Sequence, residues 1–191
     1  MKKTILLILT VALCVFALAA CQTETNTDLN PYQDAVAKTF PSSVRVETSY
    51  TDNAYGVELC GVYTVTYNAD GTAVVEYEYD KLNPAGSAEL YDKVSGTVTI
   101  AADGTVSGSL DANVTAAAKV SLNLDTEKMT YSVDKGILTA QISAANTKSV
   151  LGVDLGADAK LDMRLAGEAI GSYTVNYTTA KGAAKIVCIY S

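Results

Sequence analysis

The order of apolar and polar residues changes character along this chain, and each change predicts an element. Lys2 and Lys3 precede a run, residues 5–16, that is apolar apart from Thr10. Leu18, Ala19, Ala20 and Cys21 close that segment, and residues 22–29 then show no apolar period. A charged start, an apolar middle and small residues before a polar stretch are the layout of a secretory signal peptide. The polar stretch reads as a tether. From Asn30 the period becomes helical. Asn30 is a favoured N-cap, Pro31 suits the first helical position, and Gln33 completes a capping-box pattern. Tyr32, Val36 and Phe40 recur at i, i+4 and i+8, one apolar face of a short helix, and Pro41 ends it.

After Pro41 the period is two. Val44, Val46 and Tyr50 alternate with polar residues over 43–50. Val57, Leu59, Tyr63, Val65 and Tyr67 share one face over 57–67. Asp70-Gly71 supplies a turn. Residues 72–82 return with Ala73, Val75, Tyr77 and Tyr79 on one face and Glu76, Glu78 and Asp80 on the other. Such alternation marks antiparallel strands with one face wet. Further strands are expected around Val94–Ile100, at Val106 with Leu110, at Val120 with Leu122 and Leu124, and around Met129, Tyr131 and Val133. Leu138 to Ile142, Ala159 to Leu165, Tyr173 to Tyr177 and 186–190 complete the set, while 144–156 reads as a loop or a turn of helix. Ten or eleven strands result. The heptapeptide 61–67 resembles 171–177, as β-hairpins rich in Tyr, Thr and Val do without duplication.

Composition narrows the function. Without the leader the net charge moves from −7 to −9, and the apolar share falls from 49% to roughly 45%, ordinary for one globular domain. So acidic a chain is not expected to bind nucleic acid, which needs clustered Lys and Arg. The chain has no histidine, which removes the common catalytic triads and zinc sites. No calcium-loop spacing, phosphate loop or nucleophile elbow occurs, and Glu76, Glu78 and Asp80 read as a solvated strand face. We therefore expect neither enzyme activity, cofactor nor metal.

Two features carry candidate chemistry. Twelve tyrosines stand against two phenylalanines. Tyr63, Tyr67, Tyr77 and Tyr79 project from one face of a hairpin, and Tyr173 and Tyr177 are candidates to join them. Aromatic rings with a polar tip suit a carbohydrate-binding face, the mouth of a lipid cavity, or simply a sheet core. Cys60 and Cys188 form an even pair in an exported chain. They are either a disulfide, worth perhaps ~4 kcal/mol for so long a loop, or two small buried residues.

Leu18-Ala19-Ala20-Cys21 resembles the lipobox of bacterial lipoproteins. The resemblance implies cleavage before Cys21 and lipidation of its thiol, with the mature domain tethered outside the cytoplasmic membrane. On a Gram-positive cell that is the cell surface. In a Gram-negative cell Gln22, which is not the retaining aspartate, implies the outer membrane. The organisation is then a signal peptide (1–20), a lipidated tether (21–29) and one domain (30–191). One helix followed by a long antiparallel meander is similar, in order of elements only, to the LolA, LolB and LppX type of lipoprotein. That resemblance implies a mainly β fold with a curved half-barrel or open barrel of about ten strands. Two functions follow. One is a non-catalytic binding module holding an apolar or amphipathic ligand, lipid or glycan, on a tyrosine-rich concave sheet. The other is an envelope protein with a fully packed core that meets another protein.

Overall fold

A computed structural model describes residues 28–39, 41–107 and 122–191. Cys21 with the leader, Phe40, Leu110 and Val120 lie outside the described residues. The helix α1 spans Asn30–Lys38. Its cap differs from the expected one. Leu29 occupies the N-cap, and Asn30 instead donates its backbone N–H to Asp28 Oδ1 at 3.0 Å. Gln33 is not reaching back to a cap. Its Nε2 donates to the Leu124 carbonyl at 2.8 Å, so the side chain ties the helix to the segment beside it.

Nine strands follow among the described residues: β1 Ser43–Asp52, β2 Val57–Tyr67, β3 Ala73–Leu82, β4 Tyr91–Ile100, β5 Met129–Asp134, β6 Ile137–Ile142, β7 Ala159–Ala166, β8 Ala169–Thr179 and β9 Gly182–Tyr190. A 3-10 turn, Ala144–Asn146, and a short helix α2, Thr147–Leu151, stand between β6 and β7. Two expected strands differ. Val106 makes only an isolated bridge to Ile100, and Leu122 and Leu124 are buried in irregular chain instead of joining the sheet. Their apolar spacing serves burial against the core, which alternation alone does not distinguish from strand pairing.

The strands form one antiparallel sheet in the order β4-β3-β2-β1-β9-β8-β7-β6-β5. It is two meanders, β1–β4 and β5–β9, sewn together where β1 pairs with β9. β4 and β5 are the two ends of this order and do not pair, so the curved sheet is open. The inner face is continuous across the seam. One rung reads Val133, Leu138, Met163, Tyr173, Cys188, Val46, Tyr63, Tyr77, Gly96. Leu138, Leu161, Met163, Val44, Val46, Val65, Val75 and Cys188 on this face are fully buried.

What covers the face differs between its halves. Over β5–β9 lie Leu122, Leu151 and Leu155, which with Tyr173, Val175 and Ile186 enclose a void of only about 10 Å³, about one water-sized sphere. α1 is fastened to the same half. Thr39 Oγ1 donates to Ala35 O at 2.6 Å and accepts the Ile170 N–H at 2.9 Å. A buried threonine is thereby satisfied twice while it joins helix to β8. The two similar heptapeptides lie in β2 and β8, which run in opposite directions. Gly61 in the first lies under a tyrosine ring, whereas Gly171 in the second meets Ala166 beside the β7 bulge. They are alike in composition and unlike in use.

Candidate functional site

Parity places Tyr63, Tyr77 and Tyr79 together, as the alternation predicts. Tyr63 of β2 is the direct cross-strand partner of Tyr77 in β3, and Tyr79 is opposite Gly61. The ring centroids are 6.5 Å (Tyr63–Tyr77), 6.3 Å (Tyr63–Tyr79) and 5.8 Å (Tyr77–Tyr79) apart, with interplanar angles of 29°, 12° and 32°. Three nearly parallel rings at three similar separations make a tile, in which Tyr63 is buried and Tyr77 and Tyr79 are half-buried against the core. A column would set its first and third members twice as far apart as neighbours.

Two glycines explain why the rings lie as they do. A Cβ at Gly96 would come within 2.6 Å of Tyr77 Oη, and one at Gly61 within 2.8 Å of Tyr63 Cε2. The rings of Tyr77 and Tyr63 therefore rest on bare backbone, in space any other residue would fill. This is aromatic rescue of strand glycines, and Gly96 is the partner of Tyr77 on the next strand, β4.

Beside the tile a cleft of about 430 Å³ opens, lined by Thr48, Tyr50, Leu59, Tyr63, Tyr79, Lys81, Tyr177, Ala184 and Ile186, among others. The size is typical of small-molecule sites. The six tyrosines named from sequence thus divide. Tyr63, Tyr77 and Tyr79 form the tile, and Tyr177 faces the same cleft from β8. Tyr173 belongs to the packed interior with Tyr63, and Tyr67 is half-buried against it. Tyr173 is buried and its hydroxyl donates to the Cys188 thiol. Burial, with Cys188 close by, pushes the Tyr67 hydroxyl up to about 12. Among the described residues the Tyr67 hydroxyl is enclosed without a hydrogen-bond partner. The Tyr190 ring lies 5.9 Å from that of Tyr173, and burial raises the pKa of its hydroxyl strongly.

Tyr50, Leu59 and Lys81 line the cleft and escaped the sequence reading. Tyr50 was legible as an inward position of β1, but nothing local says that Tyr50 stands across Ala184 from Tyr177.

Cys60 and Cys188 are both free thiols. The disulfide expectation is corrected by register. Cys60 pairs with Ser49 and Cys188 with Val46. Positions 46 and 49 of one strand differ by an odd number, so the two cysteines point to opposite faces of the sheet. Cys188 is the small buried residue of the alternative reading, and Cys60 is exposed. Glu76 and Glu78 lie exposed on the outer face as expected, and Glu78 Oε1 accepts from Lys93 Nζ at 2.9 Å. No grouping of three metal-ligating side chains occurs among the described residues.

A larger depression, about 800 Å³, lies towards the outer face and is lined by Ser49, Gln141, Lys160, Asn176 and Thr178 with small neighbours. It is shallow and polar, and Lys160 there is already paired with Asp162 at 2.9 Å. The tyrosine cleft is smaller and more enclosed, and it gathers Tyr50, Tyr63, Tyr79 and Tyr177, of which the depression shares only Tyr177.

No family model matches the chain, and no curated protein matches it by sequence. Among solved structures, LprF from Mycobacterium bovis superposes with a TM-score of 0.43 at 12% identity, covering 84% of this chain and 90% of that one. A redesigned β-barrel, mFAP1, bound to DFHBI, superposes with a TM-score of 0.22 at 11% identity, covering 83% and 99%. Both TM-scores lie below 0.5, so neither likeness decides the fold or the activity.

Proposed function

We propose that this protein is a membrane-anchored extracytoplasmic lipoprotein whose β domain is a non-catalytic binding module. The observation that carries the binding reading is the unequal cover of the sheet. Over β5–β9 the inner face is packed to a void of about 10 Å³. Where β1–β3 meet the Tyr177 and Ala184 ends of β8 and β9 it carries the tyrosine tile and a cleft of about 430 Å³. The ligand would be amphipathic, resting an apolar surface on Tyr50, Tyr79 and Tyr177 and meeting water and Lys81 at the mouth. Anchoring rests on the lipobox-like residues 18–21, with Cys21 as the lipidated residue, since two or three acyl chains hold a protein stably at a bilayer. Residues 22–29 would then set the domain close to the membrane.

The packed half of the core supports a second reading, an envelope protein that meets a protein partner and holds no small ligand. Native mass spectrometry of the protein purified from its membrane separates the two. The binding module carries an adduct that Tyr79→Ala reduces. A clean apo mass, identical in the variant, leaves the protein-partner reading.

A further inference from the structure

Resting on the anchored reading above, we propose that the end of the sheet bearing the β1–β2 and β3–β4 turns docks on a lipid bilayer, which brings the tyrosine cleft to the membrane surface. Four large apolar side chains are exposed among the described residues. Three of them, Tyr55 (44%), Leu90 (49%) and Tyr91 (41%), stand in these two turns or at the first residue of β4. The fourth, Ile189, lies on β9 towards the other end. The antiparallel order sets both turns at one end of the sheet, with the β8–β9 turn beside them. The turns of the opposite end are Asn68-Ala69-Asp70-Gly71, Ala101-Ala102-Asp103-Gly104, Asp134-Lys135-Gly136 and Gly167-Glu168. None of these holds a large apolar side chain. Exposed apolar residues scattered singly need no explanation, whereas their segregation to one end does.

Both apolar turns are held in shape. Asp52 Oδ1 accepts the N–H groups of Ala54 and Tyr55 at 2.8 and 3.1 Å, and the Asp52 carbonyl accepts that of Gly56 at 2.8 Å. The Asn83 N–H donates to the Leu90 carbonyl at 2.9 Å, and its Nδ2 to the Glu89 carbonyl at 3.2 Å. Such turns present Tyr55 and Leu90 outward in a fixed place. A ring with a polar tip beside an aliphatic chain suits the headgroup level of a bilayer. Asp52, Glu89 and Asp92 at this end oppose attraction to an anionic surface, so the contact is one of rings and aliphatic carbon with the interface. The tether sets the reach. Residues 22–28 span at most about 25 Å when extended, so the domain meets the bilayer at high effective concentration and a weak contact suffices. The cleft lies at the same end, since Tyr50, Lys81 and Tyr177 stand within two residues of the ends of their strands. Docking therefore gives an amphipathic ligand a short path between lipid and cleft.

The full-length protein, purified with its anchor, is placed in phosphatidylcholine nanodiscs at one chain per disc. Its amide NMR signals are compared with and without spin-labelled lipid. Selective broadening is expected at residues 53–57 and 83–91, and none at 68–72 or 101–104. Tyr55→Ser combined with Leu90→Ser, both exposed positions, should abolish that selectivity with fold and anchor unchanged. Broadening spread evenly over the surface, strongest at the opposite end, or absent overturns the docking and leaves the anchor standing. Selective broadening that the double variant keeps overturns these side chains as the contact. Protection of the two turns that arises only with two chains per disc assigns them to a second copy and overturns the lipid contact. If Cys21 carries no lipid, the anchored reading fails, and the same chain added to discs decides the docking by itself. Selective broadening of the two turns then sustains it, and none overturns it.

Discussion

Among the described residues the enclosed Tyr67 hydroxyl has no partner, and such a group costs a fold about 1 kcal/mol or more of unrecovered hydration. Tyr67→Phe removes the oxygen and keeps the ring. The melting temperature of the variant is expected to rise by a few degrees; a fall would mean that the hydroxyl is satisfied in solution. The two thiols differ in the same local way. Cys60 is exposed and Cys188 buried, so a thiol reagent should label Cys60 in the native protein and Cys188 only after unfolding. Burial raises Cys188 from 9.0 to about 12, and burial with Cys188 nearby raises Tyr67 from 10.0 to about 12. Both groups are neutral when protonated and have raised pKa values in the fold. Their contribution to stability is therefore complete below pH 9 and lost as pH climbs towards 12. Unfolding followed by tyrosinate absorbance should begin within that window, and Tyr67→Phe should shift its onset upward.

Elements obey two different kinds of instruction. Alternation in β2 and β3 was readable because inward and outward positions are a property of one strand. The start of α1 was misread by one residue because Asn30 and Asp28 are both competent caps, and Asp28 is the one that bonds. The disulfide was left open because strand register decides it. At the seam, Gly182 of β9 pairs with Asp52 of β1, and a Cβ there would collide with the Thr51 carbonyl and approach Tyr50 Cε2 at 2.9 Å. Backbone cannot give way as a side chain can. Gly182→Ala is expected to cost about 2–3 kcal/mol, seen as a lower urea midpoint. An unchanged midpoint would show that β1 and β9 can part at that end without loss.

At the scale of the molecule, the proposed function depends on an anchor and on the open region of the sheet around the cleft. Cys21→Ala should leave the chain uncut or release it from the membrane fraction, whereas unchanged processing and fractionation would exclude lipidation. The sequence by itself determined the β class, the short helix at its head and the inward tyrosines. All of these are local, the reach of a hydrophobic period. The tertiary structure alone decided that β1 joins β9, that Tyr50, Tyr79 and Tyr177 border one cleft while Tyr63 and Tyr173 sink into the core, and that Cys60 and Cys188 face apart. The physical reason is that strand neighbours are chosen by burial and backbone pairing between distant segments, whose closure entropy is met only when the whole sheet forms. A period of two states which way a side chain points; only the assembled sheet states what it points at.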